Sequence, residues 1–185
     1  LGTDISDILF GTPTPILART NLGALAKDEV NIVVHGHEPT LSEMILAAVS
    51  MPEMIEYAKS KGAQGINLTG ICCTANELLM RQGIATIGNF LSQELALMTG
   101  SIEAMVVDIQ CIMEALVPLA ERFHTHLITT SPKAKIKGAK HIQFDEHHAL
   151  DIAKEIVCMA IDNYPNRRQT NIPDILDNMV AGFSH

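Results

Sequence analysis

The chain has 185 residues and a formal net charge of -8; 47% of its residues are hydrophobic, 4% are aromatic and none is tryptophan. That length suits one substantial core, and an acidic balance with no Lys/Arg cluster to offset it excludes a nucleic-acid surface. No apolar run approaches the roughly 20 residues of a membrane span, no signal peptide is visible, and four unevenly spaced cysteines cannot form a disulfide framework, so a soluble, cytoplasmic protein with reduced thiols is expected.

Residues 1–29 read as short helical and turn pieces, one over 4–10 stopped by Gly11-Thr12-Pro13 and another over 21–27. We expect this part to be a lead-in, and Leu1 in place of an initiator Met suggests a piece of a longer chain. An alternating pattern begins at residue 30. Val30-Asn-Ile-Val-Val-His-Gly-His37 is a β-branched run and predicts a strand. A helix over 40–51 follows, with a capping box at Thr40-Leu-Ser-Glu43, and Pro52 restarts it. Later strands are expected over 66–71, 84–87, 104–110, 126–130 and 141–144. The intervening helices cover 74–82, 91–98, 111–123 and 145–163. The tail over 169–185 reads as the start of a further domain. Strands that are almost wholly apolar are buried on both faces, which implies helices on both sides of a parallel sheet. The predicted fold is therefore α/β, a three-layer Rossmann-like domain with a mainly parallel sheet over residues 30–168.

One stretch suggests chemistry, Gly65-Ile-Asn-Leu-Thr-Gly-Ile-Cys-Cys-Thr-Ala-Asn-Glu77. A buried strand ends in two cysteines, and Thr74-Ala-Asn-Glu77 has the spacing of a capping box for the next helix. A helix amino terminus favours thiolate, the state that binds metal. His37 ends the first predicted strand, Cys73 the second and Cys111 the fourth. Right-handed crossovers put those ends on one edge of the sheet, where an open α/β sheet binds ligands. Imidazole plus thiolates suits zinc, or iron and nickel with sulfide. His35 competes with His37 for the nitrogen position but lies farther from the strand tip. Cys72 reads as the packing partner of Cys73, Cys158 as a packed core thiol, and Asp108 as a hydrogen-bonding residue near the mouth. No G-x-G-x-x-G, P-loop or G-x-S-x-G motif is present.

Taken together, Val34-His-Gly-His-Glu-Pro-Thr-Leu-Ser-Glu43, the 65–77 stretch, Val106-Val-Asp-Ile-Gln-Cys-Ile-Met113 and Ile128-Thr-Thr-Ser-Pro-Lys133 closely resemble the anaerobic nickel–iron carbon monoxide dehydrogenase catalytic subunit. The likeness covers nearly the whole chain. It implies a central Rossmann-like domain that supplies His37 (with His35 the alternative), Cys73 and Cys111 to a Ni-4Fe-4S cluster. That cluster oxidises CO with water to CO2, two protons and two electrons. The resemblance further implies an electron-transfer iron–sulfur partner and a homodimer. The other ligands and the acid–base residues of that family have no counterpart here, so this chain alone is expected to hold no intact cluster and to be inactive. Three alternatives are a hybrid-cluster (hydroxylamine reductase) domain, a metal-free Rossmann-like binding domain, and a mononuclear zinc hydrolase.

Overall fold

The structure, a computed structural model, describes residues 2–182. Its centre is the pair β2 (Val30–His35) and β5 (Ile102–Val107), neither of which has an exposed residue. Successive side chains point to opposite faces. Val30, Ile32 and Val34 therefore enter one core with Leu41, Ile45 and Ala48 of α2 (Pro39–Val49) and Ile156, Val157 and Ala160 of α7 (Ala149–Asn163). Val33 enters a second core with Met105, Leu97 of α5 (Gln93–Met98) and Leu116 of α6 (Leu116–Ala120). Helix α3 (Pro52–Ser60) adds Met54 and Ala58 to the first core. Three layers result, as expected from strands that are almost wholly apolar.

Eight strands lie in the order β7-β6-β5-β2-β3-β4-β1-β8. They include β1 (Ile16–Thr20), β3 (Ile66–Ile71), β4 (Ala85–Gly88), β6 (His126–Thr129), β7 (Lys140–His141) and β8 (Asp177–Ala181). All neighbours are parallel except β8, which runs antiparallel to β1. From β2 the chain winds outward through β3 and β4, then returns to the other side of β2 as β5 and winds the opposite way. The reversal lies between β2 and β5, and a crevice opens there at the carboxyl ends of the strands.

Several elements differ from the sequence reading. The 1–29 segment contains α1 (Gly2–Phe10) as expected, but it also contributes β1 to the sheet, and the helix expected over 21–27 is a single 3-10 turn, Leu22–Ala24. The 169–185 segment contributes β8. The cap of α2 is Glu38, whose carboxylate accepts from the Thr40 amide at 3.1 Å, with Pro39 in the first helical position where its missing N–H costs nothing. The 111–123 helix is shortened to α6.

Polar residues tie the opposite edge of the sheet. Glu103 is wholly buried and accepts from the Asn31 amide at 2.7 Å and from Arg167 Nε and Nη2 at 2.7 and 2.6 Å. His124 Nε2 lies 2.8 Å from the same carboxylate. Arg167 also donates to the carbonyls of Lys27 and Glu29, both at 2.6 Å. One guanidinium thus joins β5, the approach to β2 and the segment that leaves α7.

Candidate metal centre

The loop after β2 is built on Asp108, the residue after β5. This buried carboxylate accepts from the amides of His37 at 2.7 Å, Glu38 at 3.0 Å and Ile109. Burial raises its pKa and the three amides pull it back, with burial the larger effect. Gly36 sits at φ +138, and a Cβ there would stand 1.8 Å from Asp108 Oδ1. No other residue fits between the loop and its carboxylate.

His37, half-buried, is oriented by the same segment: its Nδ1 lies 3.0 Å from the Ile109 carbonyl. A carbonyl only accepts, so Nδ1 carries the proton and Nε2 is left with a free lone pair. That is the tautomer of a metal-binding histidine held by a backbone oxygen. His35, in contrast, is fully buried at the end of β2, and neither ring nitrogen has a partner among the described residues. Burial holds its pKa below the usual imidazole value.

Helix α4 (Cys72–Gln82) starts one residue after β3 and lies directly on the strand. A Cβ on Gly70 would come 2.6 Å from the Ala75 Cβ. The expected Thr74–Glu77 capping box does not form. Both cysteines lie in the first turn of the helix, and Ile71 is the residue before it, without a side-chain cap. The Thr74 amide instead donates to the Gly36 carbonyl at 2.9 Å, which fastens the cysteine turn to the His37 loop. The Thr74 hydroxyl has no partner among the described residues, and Glu77 pairs with Arg81.

Cys73 is exposed, whereas Cys72 and Cys111 are half-buried. Cys111 lies in the loop between β5 and α6 rather than on a helix, because Gln110 and Cys111 both adopt left-handed backbone, φ 61 and 53. It lines a cavity of about 300 Å³ with Gln110, Glu114, Lys135 and Ile136. The Cys72 thiol is pushed up to about 11 by burial, with the neighbouring Cys111 and Cys73 thiols adding to the effect. At this residue burial outweighs the helix terminus that was expected to favour thiolate.

A solution consequence follows for the metal-free protein. Alkylation of Cys72 by iodoacetamide should be negligible at neutral pH and rise about tenfold per pH unit as its thiol deprotonates toward pH 11. Peptide mass spectrometry measures this, and a Cys72 rate that is flat from pH 7 to 10 contradicts the burial seen here.

The structure thus brings the His37 loop, the Cys72–Cys73 turn and the Cys111 turn to one switch-point crevice. It does not gather three donors around one point: among the described residues no three His, Cys, Asp or Glu side chains are placed to hold a single metal ion. A mononuclear zinc site needs its donors about 2.0–2.3 Å from one centre, so the zinc hydrolase alternative finds no site among these residues. Donors to different metals of a cluster are spaced more widely. Cys158 packs against Met54, Sγ to Sδ 3.8 Å, on α7. Gln93, buried at the start of α5 beside His35, carried no signal in the sequence.

A family model described as the Prismane/CO dehydrogenase family matches residues 1–183. The chain belongs to that family. It is 53% identical over 186 residues to carbon monoxide dehydrogenase 1 of Methanosarcina mazei, a match that spans all of this chain and 30% of that relative. Carbon monoxide dehydrogenase 1 of Carboxydothermus hydrogenoformans is 52% identical, with 29% of its length covered. Among solved structures, a nickel-free carbon monoxide dehydrogenase from Thermococcus sp. AM4 superposes with a TM-score of 0.97 and 54% identity over 98% of this chain and 29% of that one. The chain therefore spans less than a third of these members of the family, and the hybrid-cluster alternative is not favoured. Among the described residues no helix is long and apolar enough to cross a membrane.

Proposed function

We propose that this chain is the central, cluster-binding domain of an anaerobic carbon monoxide dehydrogenase, and that His37, Cys73 and Cys111 are its metal ligands. The observation that carries this reading is the crevice between β2 and β5, where an imidazole with a free Nε2 faces the same edge as thiols that follow β3 and β5. One half-buried imidazole and sulfur donors fit a nickel–iron–sulfur group, whose metals accept both. His37 is favoured over His35 because His35 is wholly enclosed.

When bound, such a cluster supplies the redox and Lewis-acid chemistry that interconverts CO and water with CO2, two protons and two electrons. The chain's own residues have narrower tasks. His37 offers Nε2, with the Ile109 carbonyl holding the ring so that only this nitrogen is available. Asp108 fixes the loop that carries it. Cys73 and Cys111 offer thiolates from two separate turns. Cys72, its thiol kept protonated by burial, packs against the apolar core that contains Ile71. The electrons leave to an iron–sulfur partner protein, and the working assembly is a homodimer. The chain by itself supplies three ligands and should not turn over CO.

The test uses the full-length protein that carries this chain. His37→Ala, Cys73→Ser and Cys111→Ser should each lower CO-dependent viologen reduction by roughly 100-fold or more and lower the nickel or iron content. Cys158→Ser should leave both unchanged. Wild-type activity in the three variants refutes the assignment.

A further inference from the structure

His35 is the one buried histidine in the crevice that the reading above leaves without a task. It pairs with Ile71 on one side and Val107 on the other, so it stands at the floor of the switch point, on the face covered by α5. Its ring is enclosed, yet both nitrogens lack hydrogen-bond partners among the described residues. Gln93, equally enclosed, has one half of its amide fixed: Nε2 donates to the Phe90 carbonyl at 2.8 Å, which leaves Oε1 without a partner. The polar groups nearest the imidazole are this Gln93 side chain and the backbone of Ile71 and Cys111, with the Asp108 carboxylate acting on it from farther off.

An imidazole kept in such a place without hydrogen bonds is worse than an apolar ring of the same shape. Beside it, Gln110 and Cys111 hold two consecutive left-handed conformations that side chains rarely adopt, and such turns persist only when their surroundings fix them. Hydrogen bonds at catalytic and metal sites commonly tighten when the site is loaded. Each unpaired group in this enclave would then acquire a partner. Gln93 Oε1, an acceptor, would select the ring nitrogen that carries the proton, and the other would face the Cys111 turn.

We propose that His35, with its tautomer set by Gln93, is a positioning residue that holds the Gln110–Cys111 turn and so aims the Cys111 thiol into the crevice, without itself binding metal. This rests on the reading of Cys111 as a metal-binding thiol.

The test titrates the full 185-residue chain with Cd2+ alone and follows thiolate-to-cadmium charge transfer, with cadmium NMR at saturation to report the donor set. Wild type should bind cadmium at its separate thiol turns, which need no shared three-donor centre, and Cys111→Ser should weaken binding or change the donor set. If wild type does not bind, or Cys111→Ser matches it, the reading of the site fails and the inference fails with it. If both hold, His35→Phe should keep the wild-type donor set at saturation but bind cadmium 10- to 100-fold more weakly. It should also make Cys111 more reactive toward iodoacetamide relative to Cys73. Gln93→Leu should act in the same direction, and it serves alone should His35→Phe fail to fold. His35→Gln, which restores one nitrogen, should recover part of the affinity. Wild-type affinity in the Phe and Leu variants would mark His35 as inert packing. A changed donor set in His35→Phe would mark it as a ligand. Either result overturns the proposal.

Discussion

Arg167→Ala should lower the unfolding free energy by about 3–5 kcal/mol, the cost of removing one partner of a buried ion pair and leaving the other charge without its match. Both side chains are enclosed, with 8% of the Arg167 side chain and none of the Glu103 side chain exposed. The substitution also removes the donors to the Lys27 and Glu29 carbonyls and the stacking of the guanidinium on Tyr164, 4.6 Å from the ring centroid. Arg167→Lys keeps the charge but cannot donate from two nitrogens to both carboxylate oxygens, so it should recover only part of the loss. Urea unfolding followed by circular dichroism measures both. A midpoint shift equivalent to less than about 1 kcal/mol for Arg167→Ala would show that the staple contributes nothing.

Asp108→Ala should weaken metal binding by roughly 10- to 100-fold and destabilise the chain by on the order of 3 kcal/mol. The substitution leaves the amides of His37, Glu38 and Ile109 without their acceptor in a partly buried loop. Asp108→Asn preserves the shape but turns one acceptor into a donor that opposes an amide N–H, so it should restore little. Gly36→Ala attacks the same joint from the other side through its φ of +138 and its clash with Oδ1. The effect is read in cadmium affinity and in nickel and iron content of the full-length protein. Normal metal content in Asp108→Ala would show that the loop holds His37 without this carboxylate.

The central strands were legible because β-branched residues fill Val30 to Val34 apart from Asn31, and such a run fits a strand covered on both faces. The crevice followed from topology, since each predicted ligand ended a strand. Other features were hidden for physical reasons. β1 is a strand of only five residues that begins directly after Pro15, and its burial alternates weakly beside the edge strand β8. β8 opens with Asp177 and Asn178 and is mostly exposed, so neither apolar content nor periodicity marks it. Cys111-Ile-Met-Glu-Ala-Leu116 has good helix formers, yet its first residue is left-handed, a tertiary demand that overrides propensity. The Thr74–Glu77 box failed because a closer partner took the Thr74 amide. The choice between His35 and His37 could not be made from alternation, because the chain leaves the strand at Gly36.

The pairing of β1 with β8 has a kinetic consequence. Thr20 and Asp177 are 157 residues apart in sequence, whereas β2 meets β3 through one crossover and β5 at less than half that separation. Closing so long a loop is entropically slow, so this edge should zip up only after the interior ladder exists. By the same logic it is the first ladder to open, and amide exchange in Leu17 and Val180 should outpace that in Val33 and Val106 by orders of magnitude. The crevice at the middle of the sheet is therefore insulated from breathing at its rim.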